Sequence, residues 1–86
     1  NQANFLKIFA MVAKKKKMAL NEEALVYLLK TKYPTIDNIY ANYQPNFLID
    51  QMVATCNFEG IPRQMTAELI ERAWANMFVK DEHIVK

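Results

Sequence analysis

Apolar residues recur at helical spacing along most of this chain. Phe5, Ile8, Phe9 and Val12, widened by Leu6 and Ala13, form the stripe of a first helix over residues 4–16. Asn21 reads as the N-cap of a second helix, with Glu22 and Glu23 where the positive end of the helix dipole favours acids. That helix buries Leu25, Leu28 and Leu29 and is predicted to stop near residue 32, because Pro34 biases Tyr33 away from helical dihedrals. Pro45 suits the first turn of a third helix, having no N–H to leave unpaired. Phe47, Leu48, Met52 and Thr55 then recur at helical spacing, with Ile49, Val53 and Cys56 on an adjoining strip. Gly60 stands where a left-handed residue commonly ends a helix, and Pro62 prevents continuation. Thr66 is the expected cap of a fourth helix, whose stripe is Leu69, Ile70, Ala73, Trp74, Met77 and Phe78. Residues 80–86 read as a short polar tail, with Ile84 and Val85 docking loosely.

Residues 35–44 fit two descriptions. Ile36, Ile39, Tyr40 and Tyr43 have helical spacing and Thr35 could cap a turn, whereas Asn38 and Asn42 are weak helix formers. The stretch is therefore a short extra helical turn near 36–43 or an ordered connector. The expected fold is all-α, a compact bundle of four main helices in one domain over residues 1–86. Its predicted core is Phe5, Ile8, Phe9, Val12, Leu25, Leu28, Leu29, Leu48, Met52, Leu69, Ile70, Ala73, Trp74 and Met77.

Composition narrows the picture. A chain of 86 residues holds one domain and buries only roughly 60–65% of its unfolded surface, so it depends on tight packing. The 52% hydrophobic content supplies that packing, and one glycine leaves little for the turns of a β-sandwich. Cys56 is the sole cysteine, which fits a reducing, cytoplasmic compartment. No apolar run approaches the ~18 residues of a membrane span, and no membrane partner is expected. The chain begins at Asn1 rather than Met, which suggests a piece of a longer polypeptide.

The search for chemistry yields mostly exclusions. One glycine with no Lys-Ser/Thr after it cannot form a phosphate-cradling loop. One cysteine and one histidine do not make a zinc site, and Cys56 and His83 lie too far apart in sequence to suggest a nucleophilic pair. Glu68 stands four residues before Arg72, the favourable order for an ion pair on one helix. Asp50 reads as a solvent-facing or helix-bridging group. We therefore expect no catalytic and no metal-binding residue. The 58–66 link is too long for a DNA-reading helix-turn-helix, and Glu68 and Glu71 would repel phosphate. Lys14, Lys15, Lys16 and Lys17 read first as a solvated helix end, since they fan around the axis and complement the negative end of the dipole. Nucleic-acid binding is the competing reading of that run, and the net charge of +2 does not require it. Tyr33, Tyr40 and Tyr43 could stack on a planar ligand, or fill a core edge with their hydroxyls wet.

From Tyr43-Gln44-Pro45-Asn46-Phe47-Leu48 onward the chain resembles the helical lid of AAA+ ATPases, the small four-helix subdomain that follows their P-loop domain. A lid helix in that family opens with Pro-Arg-x-Leu, whose arginine reaches the nucleotide. Pro45 and Leu48 match, but Asn46 stands at the arginine position, offering two neutral donors on a short stem in place of a charged fork. The start of the second helix at Asn21-Glu22-Glu23-Ala24 also fits the family's order. The resemblance implies a non-catalytic lid with Tyr43, Pro45 and Asn46 near a nucleotide and charge compensation from Lys32, Arg63 or the upstream domain. ATP and magnesium would be held by an upstream P-loop domain, and neighbouring subunits would be partners. A free-standing helical protein-interaction module is the alternative, and a weak nucleic-acid-binding domain the third reading.

Overall fold

A computed structural model describes the backbone of residues 1–85 and the side chains of residues 1–77, and four helices carry the fold. α1 spans Gln2–Lys15 and is capped by the Asn1 side chain, which accepts from the Asn4 N–H at 2.9 Å. It ends because Lys17 adopts φ 58, which lets the Met18 N–H reach the Ala13 carbonyl (2.8 Å) and the Lys17 N–H that of Lys14 (3.2 Å). This turn carries Met18 into the core.

α2 spans Glu22–Tyr27, and Asn21 caps it as expected by accepting from the Ala24 N–H at 3.2 Å. Pro34 does not stop the helical path. The chain widens into a π-turn over Leu28–Lys32 and tightens into a 3₁₀ turn over Tyr33–Ile36, with Tyr33 at φ −64, ψ −32. In a regular α-helix the Pro34 ring would press on the Lys30 carbonyl. A wider turn relieves that clash, so the proline is passed without leaving the helical region. The end comes at Asp37, in the left-handed region, with Asn38 N–H donating to the Tyr33 carbonyl at 2.9 Å. The extra turn thus lies at 33–36 rather than 36–43, and Thr35 donates its hydroxyl back to the Lys32 carbonyl (2.5 Å) instead of capping. Residues 37–43 are turns and irregular chain.

α3 spans Gln44–Glu59 and closes on Gly60 at φ 68, with the Ile61 N–H on the Cys56 carbonyl at 3.0 Å. α4 spans Ala67–Val85, capped by the Thr66 hydroxyl, which accepts from the Leu69 N–H at 3.2 Å. Its backbone stays helical through residues 80–85, where a polar tail was expected, because neither glycine nor proline follows Met77 to end it. The side chains of Phe78, His83, Ile84 and Val85 lie outside the described residues.

α1 lies along α3 in the same direction. Near their starts, Asn4, Phe5 and Ile8 share a small cleft with Pro45, and further along Lys16 pairs with Asp50. α4 runs back against α3, tied by Arg72 to Glu59 (2.5 Å) and by Asn76 Nδ2 to Gln51 Oε1 (2.8 Å). The two connectors also meet: Ala19 N–H donates to the Arg63 carbonyl (2.8 Å) and Met65 N–H to the Ala19 carbonyl (2.9 Å).

The core contains eleven of the fourteen expected residues, from Phe5 to Met77. Ile8, Leu25 and Leu29 pack only at its edge. Ile8 flanks the Phe5–Phe9–Val12 line, Ala24 takes the inward position on α2, and Leu29 is turned aside where the helix widens. Tyr33, Met18 and Met65 are buried instead.

Candidate functional site

The residues expected near a nucleotide sit at the start of α3. Pro45 is buried in the first turn, Asn46 faces solvent and Tyr43 is half-exposed. The two cations expected to compensate for the missing arginine are held elsewhere. Lys32 donates to Glu71 Oε1 at 2.8 Å and lies 5.8 Å from the centre of the Trp74 ring. Arg63 donates from Nη1 to the Lys16 carbonyl (2.9 Å) and from Nε to Asn57 Oδ1 (3.3 Å). Asn57 is eleven residues beyond Asn46 on the same helix, about 16 Å along its axis. The structure therefore does not bring Asn46, Lys32 and Arg63 together.

The tyrosines form an internal stack. Tyr33 is fully buried, stacked on Tyr40 (centroids 4.6 Å apart, 25° between planes) and edge-on to Phe5 (5.0 Å) and Trp74 (4.9 Å). Its hydroxyl is not wet as expected. It donates to Gln44 Oε1 at 2.8 Å, and the same oxygen accepts from the Ala41 N–H at 3.0 Å. Burial, with smaller contributions from Tyr40 and Tyr43, pushes the Tyr33 phenol far above the usual tyrosine range. The buried ring sites that a planar ligand would need are occupied by these side chains.

Charged groups pair between elements. Glu71 on α4 accepts from both Lys32 and the Tyr27 hydroxyl, and these bonds, Lys32 first, hold its carboxyl below the usual range. Asp50 is the helix-bridging partner of Lys16. The expected Glu68–Arg72 pair is present at 3.6 Å, but Glu59 is the nearer carboxylate and the main reason the guanidinium is pushed higher. Among the described residues, no three His, Cys, Asp or Glu side chains converge as metal ligands would, and no helix is long and apolar enough to cross a membrane.

Two open clefts flank the start of α4. One, of about 370 Å³, lies between Asn21, Ala24 and Tyr27 on one side and Met65 and Ala67 on the other. The other, of about 210 Å³, is lined by Glu59, Ile61, Pro62, Leu69 and Arg72. Beside it Phe58 projects from the last turn of α3 with 92% of its surface exposed, and Ile61 is 42% exposed. Sequence reasoning passed over this corner. The signal was present, because Phe58 is an aromatic residue lying off the Leu48–Met52–Cys56 stripe.

Fold and surface together define a small all-α domain with paired charges and an apolar corner at the α3–α4 turn. Residues 1–76 match the family described as "Domain of unknown function (DUF8689)", and the chain belongs to that family. No curated protein and no solved structure matches it.

Proposed function

We propose that this domain is a non-catalytic helical interaction module that presents its α3–α4 corner to a protein partner. The observation that carries the reading is Phe58. Full burial of such a ring contributes about 1.5–3 kcal/mol, and here the ring is left almost wholly in water at a rigidly capped helix end. Ile61 and Pro62 continue the apolar surface beside it, along a cleft edged by the Glu59–Arg72–Glu68 ion pairs. Sedimentation equilibrium of the domain, alone and mixed with adjoining portions of a parent polypeptide, tests the reading. Phe58→Ser is expected to weaken the association about tenfold or more. Equal affinity for both proteins, or no association in either measurement, would sink it.

A different reading, the one the resemblance implies, is the lid of an AAA+ ATPase. It would close over ATP and magnesium held by an upstream domain and pass that closure to a neighbouring subunit as rigid-body motion. What supports it is the exposed Asn46 directly after a buried Pro45. On this reading the isolated domain binds ATP and magnesium weakly and does not hydrolyse it. Tight binding or turnover in a calorimetric titration contradicts it.

A further inference from the structure

The lysines of α1 present a second surface, unrelated to the apolar corner. The run at 14–17 is not itself the patch, because Lys16 turns inward to pair with Asp50. Lys7, Lys14, Lys15 and Lys17 remain exposed. At about 100° per residue, Lys7, Met11, Lys14 and Lys15 fall within an arc of about 100° opposite Phe5, Phe9 and Val12, and they span about 12 Å of the axis. Lys17, in its left-handed turn, extends the line past the helix end. Met11, 70% exposed, sits between the lysines, and α1 contains no carboxylate. Lys7, Lys14 and Lys15 thus share one cationic face, with Lys17 just past its end and Asp50 of α3 engaged by Lys16 beside it.

The makeup of this face discriminates among polyanions. One methionine in three turns is too little apolar surface to hold a helix in a bilayer, where aromatic and leucine side chains are needed. Lysine is depleted from the centres of protein interfaces. No aromatic ring lies on the face to stack unpaired bases, and none of its lysines lines a described cleft. A convex helix surface carrying spaced point charges instead matches a repeating phosphodiester chain, and the major groove of a duplex is wide enough to admit a helix. We propose that the outer face of α1 docks on the phosphate backbone of double-stranded DNA through Lys7, Lys14, Lys15 and Lys17, without reading its sequence.

Fluorescence anisotropy of the whole chain with a labelled mixed-sequence DNA duplex tests the proposal. Four phosphate contacts give a slope of about −3.6 for log affinity against log salt, a loss of about 150-fold between 50 and 200 mM. Lys7→Gln is expected to reduce that slope by about 0.9, while Lys16→Gln leaves it unchanged. The combination of Lys7→Gln, Lys14→Gln, Lys15→Gln and Lys17→Asn should abolish binding while keeping the helical circular dichroism. Three results overturn the proposal: no duplex binding at 50 mM salt, a slope indifferent to Lys7→Gln, or binding to phosphatidylserine vesicles in preference to the duplex. Lys7 is exposed on a helix surface, so its single substitution decides the matter even if the fourfold variant does not fold.

Discussion

The α3–α4 hairpin and the segment from Leu28 to Tyr43 lie side by side and are built on opposite terms. The hairpin obeys local rules throughout: regular periodicity, a left-handed glycine at the end of one helix and a threonine cap at the start of the next. The other segment breaks nearly every local rule. It takes a proline through a helical path, changes helix type twice and turns on Asp37 and Asn38, both with positive φ. What holds it is burial of Leu28 and above all of Tyr33, gripped by Phe5, Tyr40, Trp74 and the Gln44 amide, with Lys32 paired to Glu71. Packing across the domain can thus replace local propensity, but it concentrates the stability of the segment on a few side chains.

Tyr33→Ala removes the ring on which the irregular segment packs. It should cost about 3–5 kcal/mol by urea denaturation and also expose residues 37–43 to hydrogen exchange. Leu48→Ala in the hairpin should cost about 2–5 kcal/mol with no such local loss. If both variants release residues 37–43 equally, the segment is not anchored by Tyr33. A smaller effect separates the two kinds of turn. Gly60→Ala meets no atom within 4 Å but must hold φ +68, so thermal melts should register a cost of about 1–2 kcal/mol from strain alone. Asp37→Gly, at a similar left-handed position, should be neutral or stabilising, since glycine reaches that region without strain.

The smallest effect concerns the contact that ties the two regions together. Lys32 and Tyr27 lower the Glu71 carboxyl in the folded state, whereas the unfolded group titrates near about 4.3. A depressed folded value means that the stabilisation is present above the unfolded value and is lost as pH falls through the folded one. Glu71 is nearly half exposed, so solvent screening keeps the contribution small. The melting-temperature difference between wild type and Glu71→Gln should therefore be largest near neutral pH and vanish in strong acid. A difference independent of pH would mean that the carboxylate charge contributes nothing.

Much of the architecture was legible because its signals are local. Asn21, Gly60 and Thr66 mark helix ends by chemistry that needs only a few neighbouring residues, and the α4 stripe points inward from Leu69 to Met77, whereas on α3 Leu48 and Met52 are joined in the core by Ile49 and Cys56 while Phe47 and Thr55 stay at its edge. Tyr33, Met18 and Met65 were not legible as core, because each is buried by partners distant in the chain. Pro34 misled for the same reason: packing around the preceding residue, Tyr33, outweighed the proline's own preference. On the surface, Phe58 could have been found as an aromatic residue off its stripe. The α1 face could not, because it depends on Lys16 turning to Asp50, thirty-four residues away.

One consequence follows from the pair of backbone bonds joining Ala19 to Arg63 and Met65. They stitch the link after α1 to the link before α4, so neither link can shift alone. The Arg63 guanidinium, which donates to the Lys16 carbonyl, adds a third contact between the same two links. The end of α1 and the approach to α4 are thus pinned to each other at Ala19, so loss of Arg63 would loosen both at once.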